Sequence, residues 1–232
     1  MTETELRRKV VSTALAWQGT REYSAKHQEM LDIYNAQRPL PRGTRMLASW
    51  PWCAAFVSTV SLQCGLRDIM PTECGCPGMV RLYQEIGRWA EDDAYIPSPG
   101  DVIFYDWQDT GYGDSVGQPD HVGIVTACDG QTMTIIEGNC DNAVKTRSLA
   151  VNARFIRGYG VPNFASKADG AEPQPEPEKP AEESTVDPFI TKTAREVIAG
   201  KWGNGQARRD ALAAWFVKAV QDEVNRILGG SA

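Results

Sequence analysis

Histidine is nearly absent from this chain, with only His27 and His121. Chemistry that needs a base near neutral pH therefore has little choice of residue. Long apolar runs are also missing. None approaches about 18 residues, which excludes a membrane-spanning helix of ordinary length. The first residues, Met1 to Lys9, carry charge with no apolar stretch behind it, so no secretory signal is expected. Clustered Lys and Arg are lacking and the net charge is −6, which argues against nucleic acid as a partner. The six cysteines (Cys53, Cys64, Cys74, Cys76, Cys128 and Cys140) show neither a small disulfide framework nor paired C-x-x-C zinc spacing. They read as thiols of a protein made in a reducing compartment, and Cys74-Gly75-Cys76 alone is a weak metal motif. No metal or cofactor is expected.

What is present divides into three parts. At 232 residues and 42% hydrophobic, the chain has room for one medium domain and a small module. Residues 1–164 carry 15 basic and 19 acidic side chains. Residues 165–186 alternate proline with charge, carry 2 basic and 6 acidic groups, and read as an extended linker. Residues 187–232 resume helical periodicity, with Asp187 as cap and Pro188 at the first helical position. Three short helices are expected there.

Within the first part, Thr2 and Glu5 suit a capping box, and Leu6, Val10, Ala14 and Trp17 recur at helical spacing up to Gly19. A second helix is expected around His27–Tyr34, placing His27 among polar neighbours at the surface. A third helix begins near Pro51-Trp52-Cys53 and stops at Gly65. A fourth is expected over Met79–Trp89. The pattern then changes to period two. Strands are expected at Asp101–Trp107, His121–Cys128, Thr132–Glu137 and Arg154–Val161, with Asp129-Gly130 as a hairpin turn. Helices followed by an antiparallel sheet indicate an α+β domain.

One constellation carries chemistry. Cys53 falls in the first turn of a helix, where the dipole and unpaired N–H groups favour a thiolate. His121 opens a strand, and the hairpin brings Glu137 near it. A nucleophile, a base and an orienting carboxylate result. Asn139, two positions on, shares the Glu137 face if the strand persists. Asp120 is a weaker orienter, because adjacent strand residues face opposite ways.

Trp52-Cys53-Ala54-Ala55-Phe56-Val57-Ser58, Pro99-Gly100-Asp101-Val102-Ile103-Phe104, Asp120-His121-Val122-Gly123-Ile124-Val125 and Glu137-Gly138-Asn139 together resemble the CHAP family of cysteine, histidine-dependent amidohydrolases/peptidases. The resemblance spans roughly residues 5–162. It implies a papain-like fold and cleavage of an amide in peptidoglycan. The bond is either the N-acetylmuramoyl-L-alanine amide or a peptide bond of the stem or bridge. It also implies Cys53 as nucleophile, His121 as base, Glu137 as orienter, Asn139 as a fourth polar member, and the Cys53 N–H as oxyanion donor. Some phage members bind calcium through an acidic loop before the cysteine. Here residues 42–49 hold no carboxylate, so no calcium site is expected there.

Ala194-Arg195-Glu196-Val197-Ile198-Ala199-Gly200-Lys201-Trp202-Gly203-Asn204-Gly205-Gln206 is similar to a short choline-independent wall-binding repeat of a pneumococcal phage lysozyme. The segment joining the second and third helices is about two residues shorter than in that family. The resemblance implies Trp202, Asn204, Gly205 and Arg208 as wall contacts, and Trp52 beside the nucleophile is a further candidate. Together the two resemblances imply an endolysin-type hydrolase of a Gram-positive wall. It would be made in the host cytoplasm and act after release, without membrane insertion. An exported autolysin or effector amidase would use the same chemistry. A non-catalytic wall-binding protein is a reading of another class, and the intact Cys53, His121 and Glu137 argue against it. The sequence leaves open whether chains associate through the C-terminal module.

Overall fold

The computed structural model describes residues 1–92, 95–108 and 117–169. The helices come first. α1 (Glu3–Leu15) starts at Thr2, whose side chain accepts from the Glu5 amide while Glu5 reaches back to the Thr2 amide, the expected capping box. α2 (Ala25–Ala36) is capped by Ser24. α3 (Cys53–Cys64) begins two residues later than a helix led by Pro51 would. Trp52 is its N-cap, Cys53 its first residue, and Pro51 lies outside it. Gly65 ends it at φ 71°, the left-handed position where glycine meets no Cβ penalty. α4 (Cys76–Glu85) also opens on a cysteine, with Gly75 as N-cap and Pro77 in the first turn.

The remaining elements form one antiparallel sheet. Its strands are β1 (Trp89–Ala90), β2 (Val102–Tyr105), β3 (His121–Cys128), β4 (Thr132–Cys140), β5 (Ala143–Ala150) and β6 (Ile156–Gly160). Their order is β1-β6-β2-β3-β4-β5. Four helices and six strands among the described residues make the α+β domain expected from the sequence. Trp89, expected at the end of the fourth helix, lies instead in edge strand β1. β5 has no counterpart in the sequence reading. It follows a tight turn in which Asp141 and Asn142 both take positive φ, 47° and 57°, the geometry of a type I′ hairpin.

Alternation along the strands sorts two apolar layers. Val102, Phe104, Val122, Ile124 and Ile136 face the helices and join Val10, Tyr34, Phe56 and Val60 in the main core. Ile103, Tyr105, Val125, Met133 and Ile135 pack on the opposite face. α3 crosses the sheet closely because β4 carries Gly138. A Cβ there would lie 2.4 Å from the Phe56 Cβ. Phe164, at the start of a short 3-10 turn (Phe164–Lys167), is buried under the Arg7 guanidinium. No helix among the described residues is long and apolar enough to cross a membrane. The expected module 187–232 and all but the first residues of the expected 165–186 linker lie outside the described residues.

Candidate active site

The hairpin β3–β4 sets the geometry. Its register places Gly123 opposite Glu137 and Ile124 opposite Ile136. His121 is then a diagonal neighbour of Glu137 on the face away from α3. His121 Nε2 lies 3.3 Å from Glu137 Oε2. The pair needs the glycine at 123, because a Cβ there would sit 2.9 Å from the Glu137 Cγ. Glu137 is fully buried. Arg147, on β5, donates through Nε to both of its oxygens, at 2.9 and 3.0 Å. Burial alone would raise the carboxyl pKa. The His121 and Arg147 contacts outweigh it and hold Glu137 at about 2.

His121 is the first residue of β3. From the end of the strand its ring reaches both the sheet's outer-face carboxylate and the start of α3. Nε2 being engaged with Glu137, the interaction with Cys53 falls to Nδ1. The ring stacks on Tyr105, centroids 5.7 Å apart, and Tyr105 stacks on Trp107 at 4.7 Å. The Arg147 guanidinium lies 4.8 Å over the Trp107 ring, which fixes it from the other side. Burial would lower the His121 pKa. Hydrogen bonds and charge from Cys53 and Glu137 outweigh it and raise the ring to about 9.

Cys53 is buried, and its Sγ lies 3.7 Å from the Sγ of Cys76. The Cys76 thiol, the His121 ring and the Ala54 N–H of the helix start all favour the Cys53 thiolate against burial. The Cys53 pKa falls to about 5. Cys76 is pushed the other way, well above its ordinary value, by the Cys53 sulfur and by burial. Only one of the two sulfurs holds charge. A cleft of about 530 Å³ opens on Cys53 and Cys76, walled by Arg42, Trp50, Pro119 and Asp120 among others. Arg42 is itself held by Glu73 through two hydrogen bonds of 2.9 and 2.7 Å.

The structure therefore brings Cys53, His121 and Glu137 together. It gives Asn139 no place in the hydrogen-bonded chain. Asn139 has φ 57°, and the β4–β5 ladder shifts register between Glu137 and Cys140. Simple alternation stops there, and Asn139 makes no hydrogen bond to His121. Asp120 turns away, accepting from the Trp107 amide at 3.3 and 3.2 Å. Trp52 cannot touch a substrate as expected. It is fully buried, 4.7 Å from the His27 ring and against Gly138. The aromatic at the cleft is Trp50, 42% exposed. His27 is not on the surface but fully buried. Trp202, Asn204, Gly205 and Arg208 lie outside the described residues.

Four residues escaped the sequence reading. Arg147 sits on the unrecognised β5. Gly123 matters only through the register. Trp50 was passed over for its neighbour. Cys76 did carry a signal: Gly75-Cys76-Pro77 has the same cysteine-at-helix-start context as Cys53. Among the described residues no group of three His, Cys, Asp or Glu side chains is placed to hold a metal ion.

A helix-borne cysteine facing a histidine and a carboxylate on an antiparallel sheet defines a papain-like α+β domain. Residues 45–139 match the CHAP domain, and residues 192–228 match the CW_7 repeat. The chain is also similar to a lysozyme of Streptococcus phage Cp-7, 55% identical over 40 residues, 16% of this chain. The match spans 12% of that relative's length. No solved structure matches the chain.

Proposed function

We propose that the protein is a cysteine-dependent peptidoglycan hydrolase of the endolysin type, cleaving an amide bond of a Gram-positive wall. The observation that carries the chemistry is the continuous chain Cys53–His121–Glu137–Arg147, whose Cys53 end lines a cleft. The substrate rests on the CHAP and CW_7 matches.

In this mechanism the Cys53 thiolate adds to the amide carbonyl. The backbone N–H of Cys53, first in α3 and without an intrahelical acceptor, stabilises the oxyanion. The His121 imidazolium gives its Nδ1 proton to the departing amine, and a thioester remains. His121, now neutral, takes a proton from water, which attacks the thioester and frees Cys53. Glu137 holds the ring through Nε2, and Arg147 holds Glu137. Trp50 and the arginine-walled cleft receive the substrate. Trp202, Asn204, Gly205 and Arg208 of the CW_7 repeat hold the wall, and tethering raises the local concentration of the catalytic domain.

The test is digestion of purified Gram-positive peptidoglycan with product identification by mass spectrometry and amino-terminal labelling. Free stem peptides beginning with L-alanine assign an N-acetylmuramoyl-L-alanine amidase. New termini within the stem or bridge assign an endopeptidase. Absence of new amino termini, with Cys53→Ala indistinguishable from wild type, overturns the reading.

A further inference from the structure

Hydrolysis uses one thiol, but a second lies against it in the cleft. Cys53 opens α3 and Cys76 opens α4, so two helix N-termini converge on one pair of sulfurs. The sulfurs are 3.7 Å apart and 23 residues apart in sequence. Both side chains are nearly buried, 5% exposed each, yet both line the cleft, so a small molecule has a path to them. Every cysteine among the described residues is free. Cys74, the other half of the C-x-C, does not compete. Its sulfur is engaged by the Arg42 guanidinium at 3.3 Å.

A disulfide needs sulfurs about 2.05 Å apart, so the pair must close by roughly 1.7 Å. The two thiols are also chemically unequal. One is the charged nucleophile and the other keeps its proton, the division of labour of an attacking and a resolving cysteine.

We propose that Cys53 and Cys76 form a reversible oxidative lock on the active site, closed by hydroperoxides and opened by thiols. The Cys53 thiolate attacks the terminal peroxide oxygen and the O–O bond breaks, leaving Cys53 sulfenic acid, while the other oxygen departs as alkoxide (hydroxide, for hydrogen peroxide) and takes a proton from water. The Cys76 sulfur then attacks the Cys53 sulfur. The S–S bond forms, the S–O bond breaks, and the hydroxyl leaves as water with the Cys76 proton. The nucleophile is now masked. Two equivalents of a thiol, or one of a dithiol, reduce the bond and are themselves oxidised to a disulfide. Because the resolving sulfur is already in contact, condensation outruns a second peroxide, and Cys53 is spared irreversible oxidation. The inference rests on Cys53 being the reactive thiolate, and not on which bond of the wall is cut.

The experiment treats the full chain with hydrogen peroxide and follows intact mass, peptide maps and wall digestion together. The expected product is about 2 Da lighter and carries a Cys53–Cys76 cross-link. Its activity is lost and then recovered with dithiothreitol. Cys76→Ser keeps a hydroxyl donor beside Cys53 but removes the resolving sulfur. In that variant Cys53 should gain about 32 Da as sulfinic acid, beyond rescue by dithiothreitol. A wild-type chain that gains about 32 Da at Cys53 without the cross-link overturns the proposal. So does a Cys53 that peroxide leaves unchanged. Cross-linking in a protein that digests no wall would retain the lock and remove the substrate assignment, so the two readings fail separately.

Discussion

The two histidines of this chain lie in regions that treat the same side chain oppositely. His27, on α2, is fully buried against Trp52. Its Nδ1 accepts from the Tyr23 amide at 3.1 Å, so the neutral ring carries its proton on Nε2, which finds no partner. Burial, only partly opposed by the Glu22 charge, pushes its pKa below the ordinary value. His121, with its side chain 13% exposed, is nearly as dry, yet titrates at about 9. Desolvation acts on both. What differs is that a thiolate and a carboxylate face one ring and not the other. Partners, not burial, make the charged residue. The region around His27 is scaffold: it braces Trp52, the cap from which α3 presents Cys53.

The comparison breaks most visibly if the partners of His121 are removed. Cys53→Ala deletes the nucleophile and should lower wall digestion by a factor on the order of 10⁴–10⁶. Turbidity clearance and product release measure this. Glu137→Gln keeps the shape but removes the charge that orients the ring, and should cost roughly 10²–10⁴ in kcat. Its His121 pKa should fall toward the ordinary 6.5, visible by NMR of the ring. If His121 in Glu137→Gln still titrates near 9, the carboxylate is not what sets it apart from His27.

A change in packing sharpens the contrast from the other side. Gly138→Ala places a Cβ against Phe56 and Trp52. It should destabilise the fold by about 1–3 kcal/mol, since a close-packed layer must move. The lower denaturation midpoint should come with a Cys53–His121 pair held less tightly and a lower kcat. An unchanged midpoint would mean that α3 is not braced on β4 at this point.

The pH profile tests the pair as a unit. Cys53 at about 5 and His121 at about 9 define a thiolate–imidazolium window. Activity should follow a bell with limbs near those values, which belong to the pair and not to either residue alone. Cys76→Ala removes the leading cause of the low Cys53 value, so its acid limb should move upward, while Cys76→Ser should restore part of it. An acid limb that stays put in Cys76→Ala would assign the thiolate to His121 and the helix start alone.

Much of this site was legible because its parts report on local structure. A cysteine at a helix start, a histidine opening a strand and a carboxylate past an Asp-Gly turn each announce themselves. What escaped was set by register and layer. β5 was missed because Asp141-Asn142 is a less familiar type I′ pair than Asn-Gly, and Arg147 went with it. Alternation carried Glu137 onto the right face but does not extend to Asn139, where a positive φ and a register shift interrupt the period. Trp52 and His27 were misjudged together. His27 is bracketed by Lys26, Gln28 and Glu29, which suggests a surface, and only the fold shows those neighbours pointing out while His27 points in. The same contact buries the tryptophan.

The smallest expected effect is the acid sensitivity of His27. Its folded pKa lies below 6.5, so below about pH 6.5 the unfolded chain binds a proton that the folded one refuses, and stability falls as pH falls. Cys53 contributes in the same direction. Its folded value of about 5 lies below the ordinary 9, so its contribution is complete above 9 and lost as pH falls through 5. His121 has the opposite sign: raised from 6.5 to about 9, it contributes fully below 6.5 and loses that contribution as pH rises through 9. Glu137, lowered from 4.5 to about 2, matters only below 4.5. Between 6.5 and 9 the Cys53 and His121 slopes oppose each other, and between 5 and 6.5 Cys53 and His27 remain. In a Cys53→Ala background the slope in that lower interval, at most about 1.4 kcal/mol per pH unit, belongs to His27. Adding His27→Phe should flatten it, at a pH-independent cost of about 1 kcal/mol for the lost Tyr23 hydrogen bond. Urea midpoints between pH 5 and 7 measure both. A slope that survives the double substitution would mean that His27 accepts its proton in the folded protein as readily as in the unfolded one, and that the two histidines differ less than their surroundings.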